Sequence, residues 1–223
     1  MPDIRLEGIA LDGPDGGPVF RNLNLALQAG DSLQILGGTG FARGQLLKLA
    51  SGLLQPLAGS TRINGQWVWP GEGLAGCLKR PRMGFAFARG GLIANLNLQE
   101  NLQLPALFGT ERPTDEIKGS CQDLLSRFAL LPMAGLRPHA LDSRTRKLAH
   151  LMRVRLLDPE LIFLDDPLAG LYEGDRVEIE AWIQAWAEDK ARILMATTPE
   201  EDADIPGILR RMKLRDRQLE DFP

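Results

Sequence analysis

Asp31-Ser-Leu-Gln-Ile-Leu36 runs directly into Gly37-Gly38-Thr39-Gly40-Phe41-Ala42-Arg43-Gly44-Gln45, after which leucines recur at 46, 47, 49, 53 and 54. The first six residues read as a short, buried strand, the glycine cluster as a loop, and Gly44 to Leu54 as a helix with apolar spacing. That order presents a helix N-terminus, with its unbonded amides, to whatever lies in front of the loop. Two readings are open: a loop that takes a phosphate, or a plain strand-to-helix turn.

Working outward, Ile4 to Ala10 is a strand candidate, closed by the Gly/Pro/Asp-rich turn from Asp12 to Pro18. Asn22 to Leu27 alternates apolar and polar residues, so it reads as a strand with one wet face. Downstream, Ser60 to Trp69 reads as a strand pair turning at Asn64-Gly65. Met83 to Phe87, Leu161 to Leu164 and Arg192 to Ala196 read as buried strands, and Ile208 to Leu219 as a terminal strand pair. Helical spacing covers Asn101 to Phe108, Asp115 to Leu130, Ser143 to Leu157 and Val177 to Glu188. Strands alternating with helices predict an α/β fold layered on a sheet. The mostly helical run from about residue 92 to 157 interrupts that alternation and reads as a lobe inserted into one domain spanning 1–223.

A chain of 223 residues with 44% hydrophobic and 25% charged residues can bury a sizeable core. Its net charge of −3 offers no global field for nucleic acid, which is not expected as a partner. No apolar run approaches the roughly 20 residues of a membrane span, and the N-terminus lacks a signal-peptide pattern, so a cytoplasmic protein is expected. Cys77 and Cys121 lack metal-ligand spacing and read as isolated thiols, and His139 and His150 as surface or helix-face residues.

Several landmarks then resemble, in the right order, the ATP-hydrolysing subunit of ABC transporters. Asn22 to Asp31 resembles the strand and turn before that family's phosphate loop, and Leu46 to Pro56 with Gly59 to Gly65 resembles the segments after the loop. Arg137 to Leu141 is similar to the lead-in to the signature motif, and Leu157 to Leu171 to the second Walker strand. The resemblance covers nearly the whole chain and implies a P-loop-NTPase-like core with an N-terminal antiparallel β region and an inserted helical lobe.

At those landmarks the chemistry departs from the pattern. The Walker A loop reads G-x-x-x-x-G-K-[ST]: amides cradle phosphates, the lysine reaches the β/γ oxygens and the hydroxyl holds Mg²⁺. Across the aligned run Gly37, Gly38, Thr39, Gly40, Phe41, Ala42, Arg43, Gly44, Gln45, the second glycine is Ala42, the lysine is Arg43, and Gly44 brings no hydroxyl. A side chain at position 42 costs on the order of 1 kcal/mol if φ there must be positive. Arginine is longer and forked, so it does not replace lysine in a tight loop. The Q-loop glutamine aligns with Ala88, and L-S-G-G-Q with Leu141 to Thr145, where Asp142 sets an anion at a helix N-terminus. Asp165 survives as the metal carboxylate, to be used only if Mg²⁺ binds; the catalytic glutamate is Asp166, the next loop's aspartate is Tyr172 and the switch histidine is Thr198. Shortening the catalytic side chain by a methylene misplaces it by about 1 Å, at a cost of ~10²-fold.

The stretch from Gly91 to Pro105 keeps the family's wording, which in these transporters lines the groove for a helix of the membrane subunit; simple lobe packing accounts for its leucines equally well. It also resembles ATPases serving lipid-trafficking transporters of the MCE class. The resemblance with its departures implies a non-catalytic subunit, peripheral at the inner face of the membrane, docked on a permease and paired with itself or another ABC subunit. No cofactor is expected, and ATP with Mg²⁺ only weakly. Two alternatives stay open: a weak ATPase working through Arg43, Asp165 and Asp166, and a soluble regulator without a permease.

Overall fold

Alternation of buried and exposed side chains builds the first sheet. In the computed structural model, which describes residues 1–68, 81–89, 91–199 and 204–222, β1 (Asp3–Asp12) pairs antiparallel with β2 (Pro18–Gln28) and with β4 (Ala58–Ile63). Ile4, Leu6 and Ile9 of β1 and Leu23, Leu25 and Leu27 of β2 turn to the same buried face. β5 (Gln66–Trp67) completes the order β2-β1-β4-β5, across a turn in which Asn64 and Gly65 take φ of 54° and 72°.

The second sheet has the order β10-β9-β3-β8-β7-β6, with β3 (Ser32–Gly37) and β7 (Leu161–Asp165) flanking β8 (Ile193–Thr197) in parallel. β6 (Met83–Ala86) forms one edge, and the hairpin of β9 (Arg210–Arg215) and β10 (Gln218–Phe222) the other. The inner strands β7 and β8 are apolar on both faces because both faces are covered. Phe163, Ile193, Met195, Leu33 and Ile35 face one core with β1, β2 and α1 (Gly40–Ala50), while Ile162, Leu164, Leu194 and Ala196 face a second core made by the remaining helices.

Between β6 and β7 the chain forms α2 (Leu98–Gly109), α3 (Thr114–Arg127) and α4 (Ser143–Leu157); α5 (Glu173–Glu188) comes after β7. Asn97 and Glu100 form a capping box that starts α2 three residues before the position that leucine spacing predicts. α1 likewise begins at Gly40 rather than Gly44, because the Thr39 hydroxyl accepts the Ala42 amide, and it ends at Ala50, ahead of Gly52 with φ of 72°. α5 starts at Glu173 rather than Val177. α3 stops at Arg127, short of Leu130, where Ala129 takes φ of 56°. Trp69 and Cys77 lie outside the described residues. Cys121 is buried in α3 and His150 in α4, the latter on the helix face toward the core, whereas His139 is exposed. No described helix is long and apolar enough to cross a membrane.

Candidate functional site

β3 delivers the chain to its loop at the C-terminal end of the parallel sheet, where α/β folds place ligands. Gly37 and Gly38 take φ of 69° and 60°, and a Cβ on Gly38 would meet Leu214 Cδ2 at 2.8 Å, so glycine is required there by both backbone and space. Thr39 is extended and caps α1, drawing residues 40–43 into the helix's first turn. The Arg43 side chain turns back into the loop: Nη1 donates to the carbonyls of Gly37 at 3.0 Å and Gly38 at 3.2 Å, and Nη2 lies 3.6 Å from Asp166 Oδ2. Arg43 is only 5% exposed. The space in front of the loop's own backbone is thus taken by a guanidinium of the same loop. Phe41 is half exposed beside it and lines an open cleft of about 800 Å³ with Pro14, Val19 and Leu214.

The carboxylates at the end of β7 face the same point. Asp165 Oδ1 accepts from Thr197 Oγ1 at 3.0 Å, and its Oδ2 lies so close to α1 that a Cβ on Gly44 would meet it at 3.2 Å. Asp166 takes φ of 48°, a left-handed conformation that aspartate tolerates better than most residues. Burial pushes its carboxyl above the usual range, while Arg43 pulls it down. Among the described residues its Oδ1 has no hydrogen-bond partner. Beneath them, Lys147 Nζ donates to the backbone carbonyls of Asp165 at 3.1 Å and Asp166 at 2.9 Å. Burial depresses that ammonium's pKa, with the two carboxylates acting against it. Two acids therefore face two cations supplied by the chain itself.

These residues do not match a Mg²⁺-nucleotide site. Mg²⁺ demands oxygens at about 2.0–2.1 Å in an octahedron. Gly44 offers no side-chain oxygen, and a Cβ added there would lie 3.2 Å from Asp165 Oδ2. The described residues contain no cluster of three His, Cys, Asp or Glu with metal-binding spacing.

The remaining landmarks are fixed by contacts of their own. Thr198 is buried, its amide donating to Ile35 O at 3.1 Å and its hydroxyl accepting from Gln34 Nε2 at 2.9 Å, so it is held by the sheet. Asp142 caps α4 by accepting from Thr145 N at 2.6 Å, and its pKa is lowered first by the Thr145 side chain and then by this backbone bond. Arg144 pairs with Asp175 through two bonds of 2.5 and 2.7 Å and lies over the exposed Tyr172 ring at 5.1 Å. Ala88 is half-buried at the exit of β6. The structure thus gathers residues 37–45 with Asp165 and Asp166, whereas no hydrogen bond or ion pair among the described residues joins Asp142, Arg144 or Thr198 to them.

Sequence reading passed over Lys147 and Thr197. Lys147 lies on the helical face that also carries Leu148 and Leu151, and a lysine on a buried stripe is the signal that could have found it. Thr197 ends an apolar strand and carried no such mark.

A family model described as ABC transporter matches residues 20–169. The chain is 27% identical over 200 residues to the lipoprotein-releasing system ATP-binding protein LolD of Chromohalobacter salexigens, covering 87% of this chain and 84% of that protein. It is 29% identical over 182 residues to the macrolide export ATP-binding/permease protein MacB 1/2 of Paracoccus denitrificans; the match takes in 79% of this chain but only 27% of that longer protein. Among solved structures, the dimeric bacterial ABC transporter cassette MJ0796 superposes with a TM-score of 0.84 at 20% identity, covering 97% of this chain and 96% of that one.

Proposed function

The chain belongs to the ABC transporter family, and on that footing we propose that it is a non-catalytic subunit, held on a membrane permease at the cytoplasmic face as a structural or regulatory component. One observation carries the reading. Arg43, at the position of the phosphate-binding lysine, spends its two Nη groups on Gly37 O, Gly38 O and Asp166, so the charge that would meet a phosphate is engaged within the chain. Opening it for a triphosphate means breaking these contacts and leaving Asp166 buried and unpaired, a cost of several kcal/mol set against binding. The relatives supply the setting: one is an ATP-binding protein of a releasing system, and another is a fused ATP-binding/permease protein. Pairing with a second ABC subunit belongs to the same proposal.

Calorimetric titration with ATP and Mg²⁺ tests it. No binding up to millimolar nucleotide is expected; micromolar binding overturns the non-catalytic reading.

A second reading, a weak ATPase, draws on Asp166. A buried carboxyl with a raised pKa and a free oxygen beside Asp165 is the kind of group that positions a water. It requires Arg43 to leave the loop first, and the same titration decides between the two.

A further inference from the structure

Two side chains in the first turn of α1 have opposite fates. Arg43 is buried in the loop, whereas Phe41 is 45% exposed and lines the open cleft of about 800 Å³ beside it. Pro14, Val19 and Leu214 add apolar surface to the same cleft. Leu214 packs directly on Gly38, where a Cβ would come within 2.8 Å of its Cδ2, so the β9–β10 hairpin closes against bare backbone. An aromatic ring left half open in a concave apolar wall is suited to contact with a ligand.

The charges on this cleft have the wrong sign for a nucleotide. Asp15 and Asp216 line it, and Arg217 is the single base among the described residues that do. Two acids against one base leave it negative. Asp15 Oδ1 accepts from the Gly17 amide at 3.2 Å and lies over Gly13, where a Cβ would meet it at 2.9 Å, so the carboxylate is held by its own turn. Asp216 and Arg217 take φ of 46° and 70° in the turn between β9 and β10, and the Arg21 amide donates to Arg217 O at 3.4 Å, which ties that turn to β2. Among the described residues no cation pairs with either carboxylate.

We propose that the cleft binds a hydrophobic organic cation, its apolar body against Phe41, Pro14, Val19 and Leu214 and its charge toward Asp15 and Asp216. The inference rests on the reading that Arg43 is withheld from phosphate, and it gives the adjoining cleft a ligand of opposite charge. A cation near an aromatic face gains from the ring quadrupole. The two carboxylates add a field that salt screens, because both are exposed. A triphosphate meets repulsion from the same pair.

The test titrates the full chain with tetraphenylphosphonium and with tetraphenylborate, which share a shape and differ in the sign of their charge. The phosphonium is expected to bind about tenfold tighter at low ionic strength, and the advantage should shrink in about 0.5 M salt. Asp15→Asn/Asp216→Asn keeps an acceptor for Gly17 and a residue that tolerates the left-handed turn, and it should erase the preference. Phe41→Ser should weaken both ions. Equal binding of the two ions to the parent, or a preference that survives the double substitution, overturns the proposal. Binding unchanged in Phe41→Ser places the ions elsewhere and overturns it as well. Micromolar binding of Mg²⁺-ATP, read in a separate titration, overturns the reading beneath it, so the two failures are told apart.

Discussion

Arg43 Nη2 stands 3.6 Å from Asp166 Oδ2, with the two side chains only 6% and 19% exposed. The pair joins the first turn of α1 to the end of β7, across the place where α/β proteins of this topology admit ligands. A cation that a phosphate loop would hold out to a ligand is here part of the packing. On the proposed reading, the contacts that hold the loop together are also those that withhold the guanidinium from a ligand.

Arg43→Ala should therefore lower the unfolding free energy by about 3 kcal/mol, because it leaves a buried carboxylate unpaired and two loop carbonyls without a donor. Arg43→Lys should lose less, since an ammonium keeps the charge but cannot reach all three acceptors in one plane. Urea unfolding reads both. An Arg43→Ala midpoint equal to that of the parent would show that the guanidinium contributes nothing to the fold.

Asp166 gives a pH signature. Its folded pKa is raised by burial, so the folded state holds its proton more tightly than the unfolded chain does. The favourable contribution is full below the ordinary carboxylate pKa and is lost as the pH rises through the folded value. Asp166→Asn mimics the protonated form at every pH. The stability difference between Asp166→Asn and the parent should be larger at neutral pH than near pH 4. A difference that stays constant over that range would contradict the raised pKa.

Asp142 should behave with the opposite sign. Its pKa is lowered by the Thr145 side chain and then by the Thr145 amide, so its contribution is present above the unfolded pKa and fades as the pH falls through the folded one. Asp142→Ala should cost about 1 kcal/mol at neutral pH and progressively less in acid, whereas Asp142→Ser, which keeps a cap acceptor, should cost a few tenths. Thermal melts of the two variants at several pH values separate capping from charge.

Much of this architecture is legible in the residues. The apolar runs Leu161 to Leu164 and Ile193 to Ala196 can only be strands covered on both faces, and the turn at Asn64-Gly65 announces its hairpin. The start of α1 was less visible: four glycines in eight residues suggest an open loop, and Thr39 caps without a Glu three residues on to complete a box. The α2 start was readable in Asn97-x-x-Glu100 but is masked by leucine spacing that begins to look helical only later. Sequence marks Arg43 as a departure from lysine, yet where its fork goes depends on the carbonyl directions of Gly37 and Gly38, which positive φ sets and spacing does not encode. The Lys147 contact is tertiary for the same reason, as its acceptors lie on another element.

Cys121 offers a check on the packing of α3. Burial raises its thiol pKa to about 11 from an ordinary 9.0, so its thiolate fraction at neutral pH is roughly 10²-fold below that of a free thiol. In a Cys77→Ser background the native protein should react with a maleimide only through unfolding, with a rate that rises in urea. Prompt labelling without denaturant would mean that the face of α3 carrying Ile117 and Leu125 is open.

Rebuilding the loop puts the proposed loss of nucleotide binding to the hardest test. If Ala42, Arg43 and Gly44 together account for the loss of nucleotide binding, then Ala42→Gly/Arg43→Lys/Gly44→Ser should bind Mg²⁺-ATP at least about tenfold tighter than the parent. Each change has its own task. Ala42→Gly lets the first helical turn open, Arg43→Lys withdraws the fork from Gly37 O and Gly38 O, and Gly44→Ser returns an oxygen for the metal. The new Cβ at position 44 must move Asp165 Oδ2 from its 3.2 Å approach, which requires the carboxylate to turn about its bond to Thr197. Arg43→Lys alone should gain little, because residue 44 still supplies no ligand. If the triple variant folds as the parent does and still binds no nucleotide, the block lies outside these three residues. The exposed ring of Phe41 in the adjoining cleft would then be the next residue to remove.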